Sequence, residues 1–221
     1  MIKTGFIELD ALTNGGFMPG ELVVLASRTA MGKTALALSM CCNVDAATLY
    51  ISLQETAQQI KNKSCRINNG NKVNAVEIET NELDEIDGII SIDTAELIIV
   101  DDPHMLYNSP TAYENASAIP KRLKQIALKN KVVVVAVCQL TRNVDNRPGH
   151  IPRLGDLRDT GCWEEIADSV LLLHRRDYYD PIDKPGLATL AIAKNRRGMT
   201  GNVPLAFLSE KPAFGNLLSV Y

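Results

Sequence analysis

The sequence predicts an α/β fold with a mostly parallel central sheet flanked by helices, and three observations support this prediction. Short, continuous apolar runs alternate with helical segments along the chain, as in sheets whose strands are buried on both faces. A glycine-containing turn at residues 27–34 lies between the first apolar run and an alanine- and leucine-rich segment, which gives the order strand, loop, helix. Two late apolar runs, at residues 188–193 and 203–208, predict a C-terminal β-hairpin.

The same patterns locate the individual elements. Strands are predicted at residues 21–26, 47–53, 97–101, 131–139 and 169–174. Helices are predicted directly after the turn at 27–34, at 55–66, at 112–129 and near Trp163. The acidic stretch 67–93 has no clear periodicity. The polar stretch 140–154 is predicted to be a long, mobile loop, and loops of this length in compact domains are often functional.

Length and composition predict one folded domain that comprises residues 1–221. Hydrophobic residues make up 46% and charged residues 22% of the chain, which is typical of globular proteins. The longest apolar runs are far too short to span a bilayer and the start has no signal-peptide pattern, so we expect a cytoplasmic protein with no membrane partner. The five cysteines form no CxxC pair, which favours reduced thiols over a zinc site or a disulfide framework.

Charge is distributed unevenly along the chain, although the formal net charge is only −3. Residues 1–120 contain 7 Lys/Arg and 16 Asp/Glu, whereas residues 121–200 contain 15 and 9. A polyanionic partner is therefore expected to meet the second half of the chain. Such asymmetry also arises by chance in many soluble proteins, and charge alone leaves both interpretations open.

A phosphate-binding loop, GxxxxGK[ST], is indicated near the start of the chain, with serine in place of the first glycine. The matching residues are Ser27, Arg28, Thr29, Ala30, Met31, Gly32, Lys33 and Thr34. A strand leads into them and a helix follows, so backbone N–H groups and the helix N-terminus point at one set of phosphates. We expect Lys33 to neutralise the β and γ phosphates, Thr34 to bind Mg²⁺, and Gly32 to permit close backbone approach.

Polar side chains end two further strands and complete the predicted site. Asp101 follows an apolar run, where a carboxylate holds the metal ion of a nucleotide or its water shell. Asp102 is adjacent and ranks second, because a strand alternates the direction of its side chains. Gln139 ends the next strand, where an amide senses the γ phosphate, or is simply a polar group at a strand end.

These motifs resemble the C-terminal motor domain of DnaB-type replicative helicases, a family of RecA-like P-loop NTPases. The resemblance is carried by residues 4–10, 19–22, 28–34, 52–53, 98–101, 139–140, 155–161, 167–168, 176–179, 194–198 and 205–207. It covers most of the chain. It implies a RecA-like fold, ATP and Mg²⁺ as cofactors, and a ring-forming motor that moves along single-stranded DNA and separates the duplex.

The resemblance also assigns roles by matching position. It implies that Lys194 and Arg196 reach the nucleotide of a neighbouring subunit and stabilise the transition state as an arginine finger does. Arg158, Asp159 and Gly161 match the loop that grips the DNA backbone in the central channel. Without the resemblance, the first pair reads as the solvated tip of a hairpin, and Arg158 with Asp159 reads as a surface ion pair.

The chain departs from the family pattern at the expected catalytic base. The family ends its second strand in Ser-Leu-Glu, whereas this chain has Gln54 there. Glu55, one residue later, is the candidate replacement base if the strand end is irregular, although a regular pleat would aim it the other way. A glutamine orients water but does not accept its proton. The family also places a collar and a linker helix before this domain. The sequence contains neither, so we expect a weaker tendency to form rings.

Three functions remain open from the sequence. The first is a DNA-dependent ATPase of the helicase type that acts as a homo-oligomer, with a hexameric ring as one form, or with a partner replication protein. The second, favoured by Gln54, is a non-hydrolysing nucleotide-binding module that regulates or loads a true helicase. The third is a RecA-like recombination or clock-type ATPase. The scattered histidines, His104, His150 and His174, receive no role.

Overall fold

The structure is a computed structural model that describes residues 1–67, 73–77, 82–106, 112–157 and 161–217, excepting the side chains of 77 and 112–116. Its strands are β1 (Leu22–Ser27), β2 (Thr48–Ser52), β3 (Val73–Glu77), β4 (Leu97–Asp101), β5 (Val133–Gln139), β6 (Ser169–Arg175), β7 (Leu187–Asn195), β8 (Gly201–Leu208) and β9 (Ala213–Asn216). Its α-helices are α1 (Ile7–Leu12), α2 (Lys33–Asn43), α3 (Ala57–Ile67), α4 (Leu83–Ile92), α5 (Ala112–Asn130) and α6 (Cys162–Ile166).

These strands form one sheet with the order β3-β2-β4-β5-β1-β6-β7-β8-β9. The pairs from β3 to β6 are parallel. All six residues of the central strand β1 are buried. Val23 and Leu25 face a core that α2 and α3 cover, whereas Leu22 and Val24 face a second core that α4 and α5 cover. Burial on both faces explains why the strand is a continuous apolar run.

The far end of the sheet is antiparallel from β6 to β9. The predicted C-terminal hairpin is present as β7 and β8, in which Leu190 pairs with Val203. The prediction missed the strand β9, which pairs with β8 and completes the sheet. This strand has only four residues and contains a glycine, so it lacks the alternating pattern that indicates a strand.

The acidic stretch 67–93 contains both a strand and a helix. The strand β3 forms the edge of the sheet next to β2. The helix α4 buries Leu83, Ile86 and Ile90 in the second core, and Asp84 and Glu85 in its first turn are exposed. The acidic residues on the exposed face of this amphipathic helix obscured its apolar positions, so the sequence indicated only a polar stretch.

The polar stretch 140–154, predicted to be a loop, is folded. With the next three residues it forms a segment, 140–157, that we call the connector. The connector contains three short 3₁₀ helices, Arg142–Asn146, Pro148–His150 and Leu154–Asp156. Arg147 donates two hydrogen bonds to the buried carboxylate of Asp156, at 2.8 and 2.9 Å. These bonds depend on specific side-chain pairs, which periodicity does not reveal.

In the described part of the chain, no helix combines the length and the apolar character that a membrane span requires.

Candidate active site

The strand register brings the predicted phosphate loop, Asp101 and Gln139 to one edge of the sheet. Ser27 pairs with Gln139 where β1 and β5 end. Asp101 pairs with Ser52 where β4 and β2 end. Parallel strands end at the same edge, which is where ligands bind in open α/β sheets.

The phosphate loop, residues 27–34, enters α2 through a glycine. Gly32 has a φ of +100°, and a Cβ at this position would lie 3.0 Å from the ring of Phe214. Only glycine combines this backbone conformation with this close approach. The helix α2 begins at Lys33, and no side chain described in the structure caps it. Its first N–H groups therefore point into the loop, as at an anion site.

The remaining residues of the phosphate loop differ in exposure. Ser27 and Met31 are buried beneath the loop, whereas Thr29 and Ala30 are exposed. The side chain of Arg28 turns to the connector, where its Nη2 donates a hydrogen bond to Asp145 Oδ2 at 2.8 Å. Asp145 is thus a residue of this region that sequence reasoning missed.

Thr34 and Asp101 meet directly beneath the loop. Thr34 Oγ1 donates to Asp101 Oδ2 at 2.8 Å, and the hydroxyl of Tyr50 donates to the same oxygen at 2.6 Å. Burial raises the pKa of Asp101, while the two hydrogen bonds oppose the rise. A hydroxyl and a carboxylate side by side are hard oxygen donors, so this pair fits Mg²⁺. Sequence reasoning missed Tyr50 because it lies inside an apolar strand.

Lys33 and Asp102 lie close to the pair formed by Thr34 and Asp101. Burial lowers the pKa of Lys33, and the charges of Asp101 and Asp102 oppose this shift. Asp102 follows β4 and pairs with His104, whose Nδ1 lies 2.6 Å from Asp102 Oδ1. Burial acts to raise the pKa of Asp102, but the hydrogen bonds from His104 outweigh it and the pKa is lowered. Asp102 therefore partners a histidine rather than Thr34.

Gln54 and Glu55 follow β2 beside Asp101. The N–H of Leu53 donates to the carbonyl of Asp101 at 2.7 Å, which fixes the start of this segment. The side chain of Gln54 is exposed. The carboxylate of Glu55 is held by α3, because Lys63 Nζ donates to Glu55 Oε1 at 2.6 Å.

Lys194 and Arg196 lie at the amino-terminal ends of the parallel strands, whereas the phosphate loop lies at their carboxyl-terminal ends. Lys194 pairs with Val170 near the start of β6. The N–H of Arg196 donates to the carbonyl of Asp168 at 2.9 Å, and the N–H of Asp168 in turn donates to the carbonyl of Leu22 at 2.8 Å. Arg196 is therefore level with the first residue of β1. At about 3.3 Å per residue it lies about 16 Å below its own phosphate loop.

Both side chains contact the last carbonyl groups of α6. Lys194 Nζ donates to the carbonyls of Glu164 at 2.6 Å and Glu165 at 3.0 Å. Arg196 Nη2 donates to the carbonyl of Glu165 at 2.8 Å. Burial lowers the pKa of Lys194, and Arg196 lowers it further. The two cations are thus engaged within the chain rather than forming a fully solvated hairpin tip.

Two of the three predicted DNA-binding residues, Arg158 and Asp159, lie outside the described residues. Gly161 has a φ of +75° and precedes α6 as its N-cap residue. Glycine adopts this left-handed conformation without strain. The structure thus places one end of the predicted DNA loop on α6, the helix that Lys194 and Arg196 contact.

A cavity of about 220 Å³ adjoins the phosphate loop on the side of α2 and α3. Its lining residues are Gly32, Thr34, Ala35, Leu38, Lys63, Arg66, Ile67, Lys211 and Pro212. Apolar walls with a few cationic groups are typical of small-molecule sites. The cavity therefore extends the phosphate site in the direction of α3.

The chain matches a family model along most of its length. The model of the DnaB-like helicase C-terminal domain matches residues 1–109 and 52–216. The chain belongs to this family.

Curated DnaB-like relatives match nearly the whole chain. Replicative DNA helicase DnaC of Bacillus subtilis (strain 168) is 32% identical over 260 residues, covering 98% of this chain and 56% of the relative. Replicative DNA helicase DnaB of Geobacillus stearothermophilus gives the same identity and coverage. The chain thus spans about half the length of these relatives.

Two solved structures at 26–27% identity have the same fold. One solved ATPase domain superposes with a TM-score of 0.90 at 26% identity and covers 97% of this chain and 90% of that chain. A DnaB-like replicative helicase, studied with its primase interactions, gives 0.88 at 27% identity and covers 97% of this chain and 61% of that one.

More distant structures share the fold alone. The RadB recombinase has a TM-score of 0.71 at 19% identity, and a KaiC-like protein of Pyrococcus horikoshii OT3 has 0.69 at 17%. The predicted RecA-like α/β fold is confirmed. Membership of the DnaB-like family decides against the recombination or clock-type alternative.

Proposed function

We propose that this chain is the ATP-hydrolysing motor domain of a DnaB-like helicase that acts on single-stranded DNA in replication. The observation that carries the proposal is the 2.8 Å hydrogen bond between Thr34 and Asp101 beneath the phosphate loop. Two oxygen donors, 67 residues apart in sequence, meet where the metal ion of a bound triphosphate needs ligands. Family membership supports the same activity.

ATP is the proposed nucleotide. The N–H groups of residues 29–34 and the start of α2 would surround its phosphates, and Lys33 would neutralise their charge. Thr34 and Asp101 would hold Mg²⁺, which supplies charge neutralisation on the triphosphate when bound. The cavity beside α3 offers apolar walls, Ala35 and Leu38, to the nucleoside end. Gln139 ends β5 next to Ser27 and is the proposed γ-phosphate sensor.

Activation of the attacking water is the step of the proposed reaction that we expect to be slowest. Gln54 would orient the attacking water, but an amide does not accept the proton that the water loses. The absence of a general base usually lowers a rate by about 10² to 10⁴. The hydrogen bond from Lys63 to the carboxylate of Glu55 supports a reaction in which Glu55 is not the base. We therefore propose slow turnover.

Lys194 and Arg196 would complete the active site of a neighbouring subunit. They lie at the amino-terminal ends of the parallel strands, whereas their own phosphate loop lies at the carboxyl-terminal ends, and this separation supports a role across a subunit boundary. This requirement favours a homo-oligomer, with a hexameric ring as the proposed form. The segment 158–161 would contact the phosphates of single-stranded DNA in the channel.

The test is ATP hydrolysis at saturating Mg²⁺, with and without single-stranded DNA, with the Lys33→Ala variant as the blank. The proposal expects turnover above the blank that single-stranded DNA increases. Nucleotide binding without turnover above the blank contradicts an autonomous motor.

A second candidate function is a non-hydrolysing module that regulates or loads a helicase. The pairing of Glu55 with Lys63 favours it, since the nearest alternative to a catalytic glutamate is engaged elsewhere. This candidate expects ATP to bind with no turnover at any concentration of DNA. It also expects the chain to change the activity of a complete helicase that is added to the same assay.

A further inference from the structure

The phosphate loop is tied to the connector by an extensive ion pair. Arg28 Nε lies 3.0 and 3.1 Å from the two carboxylate oxygens of Asp145, and Arg28 Nη2 donates to Oδ2 at 2.8 Å. Arg28 Nη1 donates to the carbonyl of Leu140 at 3.1 Å. All three nitrogens of the guanidinium group are thus engaged by partners in the chain, at a residue whose backbone forms the phosphate loop. Such bidentate pairs fix geometry more firmly than single hydrogen bonds do.

The carboxylate of Asp145 is itself held in place. The hydroxyl of Tyr179 donates to Asp145 Oδ1 at 3.3 Å, and the ring of Tyr179 stacks on His150 at a centroid distance of 3.9 Å. His150 belongs to the connector, and Tyr179 follows β6. Asp145 is therefore held both by Arg28 of the phosphate loop and by Tyr179, which follows β6.

A backbone contact joins the same two segments a second time. The N–H of Leu140 donates to the carbonyl of Ser27 at 3.0 Å. The connector then runs to Leu157, which forms a bridge with Leu140 and directly precedes the proposed DNA segment 158–161. A short, folded path therefore leads from the phosphate loop to the start of that segment.

We infer that Asp145 is a positioning residue for the phosphate loop and acts on it through Arg28. The inference deepens the proposed function, on whose nucleotide site it rests. Thr29 and Ala30 at the crest of the loop are exposed, so few contacts of their own hold them. The ion pair between Arg28 and Asp145, which we call the clamp, holds the loop near its first residue. The ring of Phe214 lies close to Gly32 near the other end of the loop. A loop held in its binding conformation loses less freedom when the phosphates arrive.

The opposite role for this ion pair makes a different prediction. If Arg28 were a phosphate ligand that Asp145 holds back, removal of the carboxylate would free the cation and strengthen nucleotide binding. Our inference predicts weaker binding, because an unclamped loop must be ordered by the nucleotide. The sign of the change thus separates the two roles.

The first test is calorimetric titration of the whole chain with ATPγS and Mg²⁺. We expect Asp145→Asn to weaken binding about five- to tenfold, and Arg28→Ala to weaken it by a similar factor. The double variant should bind no more weakly than the weaker single variant, since both changes break one clamp. Asp145→Glu keeps the charge and should stay within about twofold of the unchanged chain. Tighter binding by Asp145→Asn, or fully additive losses, would overturn the inference.

Asp183→Asn is the matched control. Asp183 pairs with Arg176 at 3.6 Å, and both side chains are about half exposed, so this variant also removes one carboxylate from an ion pair. We expect its nucleotide affinity to be unchanged. A comparable loss in this control would mean that general charge, rather than the clamp, sets the affinity.

Hydrogen exchange of the nucleotide-free chain tests the inference without a ligand. Amide exchange in residues 27–34 should be faster in Asp145→Asn than in Asp183→Asn, because the clamp no longer restrains the loop. Equal exchange in the two variants would overturn the inference. If the unchanged chain fails to bind ATPγS, the proposed function fails, and the exchange result still decides whether Asp145 positions the loop.

Discussion

At the scale of single residues, Gly32 lies between the proposed nucleotide site and the core. A side chain would strain its left-handed backbone, and an added Cβ would lie 3.0 Å from the ring of Phe214, which would have to shift. We expect Gly32→Ala to abolish ATP binding and to reduce the free energy of unfolding by about 1–3 kcal/mol. Gly88→Ala is the control, since that glycine lies within α4 and, beyond its chain neighbours and the backbone of its own helix, no described atom lies within 4 Å of the added carbon. It should stabilise the chain by about 0.5–1 kcal/mol. Urea titrations and ATP binding measure both effects.

We expect Gln54, the residue after Leu53, to limit the rate of the proposed reaction. Gln54→Glu restores a carboxylate beside Asp101, and we expect it to raise ATP turnover by about 10²-fold or more. Glu55→Gln should change turnover by less than about twofold, because Lys63 engages that carboxylate rather than a water molecule. Steady-state hydrolysis with the Lys33→Ala blank measures both variants. A large loss in Glu55→Gln would identify Glu55 as the base instead.

At the scale of elements, the hairpin β7–β8 presents Lys194 and Arg196 away from the phosphate loop of the same chain. Their proposed use across a subunit boundary predicts complementation between two inactive variants. Lys33→Ala and Arg196→Ala should each lose turnover alone. An equal mixture should regain about a quarter of the turnover of the unchanged chain. About a quarter of randomly formed interfaces combine an intact Lys33 from one subunit with an intact Arg196 from its neighbour. ATP hydrolysis of the mixture, compared with each variant at the same total concentration, is the measurement. No recovery would mean that Arg196 acts within its own chain.

Much of the element order was predictable from the sequence, since strands buried on both faces are continuous apolar runs. The strands β1, β2, β4 and β5 follow from this pattern, and their shared direction places the phosphate loop, Asp101 and Gln139 together. The short strand β9 lacked a periodic signal. The connector was not predictable as a folded segment, because ion pairs such as Arg147 with Asp156 hold it.

The candidate site was predictable to a similar extent. Local motifs located Lys33, Thr34 and Asp101, since a loop between a strand and a helix and a strand end are visible in the sequence. The partners Tyr50 and Asp145 come from tertiary contacts. Arg28 and Asp145, for example, are 117 residues apart. Only the folded chain shows that pairing.

At the scale of the whole molecule, buried or paired carboxylates predict acid sensitivity. The pKa values of Asp87, Asp102 and Asp156 are lowered, because hydrogen bonds from Lys129, His104 and Arg147 outweigh the effect of burial. A lowered folded-state pKa contributes stability above the ordinary pKa, and this contribution is lost as the pH falls through the lowered value. The free energy of unfolding should therefore decrease below about pH 4. The raised pKa of Asp101 has the opposite sign and offsets part of this loss.

Denaturant titrations between neutral pH and acid measure this dependence. Asp156→Asn is the informative variant, since it removes one carboxylate whose pKa is lowered. Its unfolding free energy should be lower at neutral pH and should change less with acidification than that of the unchanged chain. An equal dependence on pH in the two chains would contradict a contribution from Asp156.

The position of Phe214 has a consequence for the order in which the molecule becomes functional during its synthesis. Its ring supports Gly32, although it enters the chain 182 residues later, in the last strand of the sheet. A nascent chain on the ribosome thus exposes its phosphate-binding motif long before the surface that supports this motif has been made. Nucleotide capture would then mark a chain in which β9 has been made, and chains truncated before β9 should be unable to retain ATP.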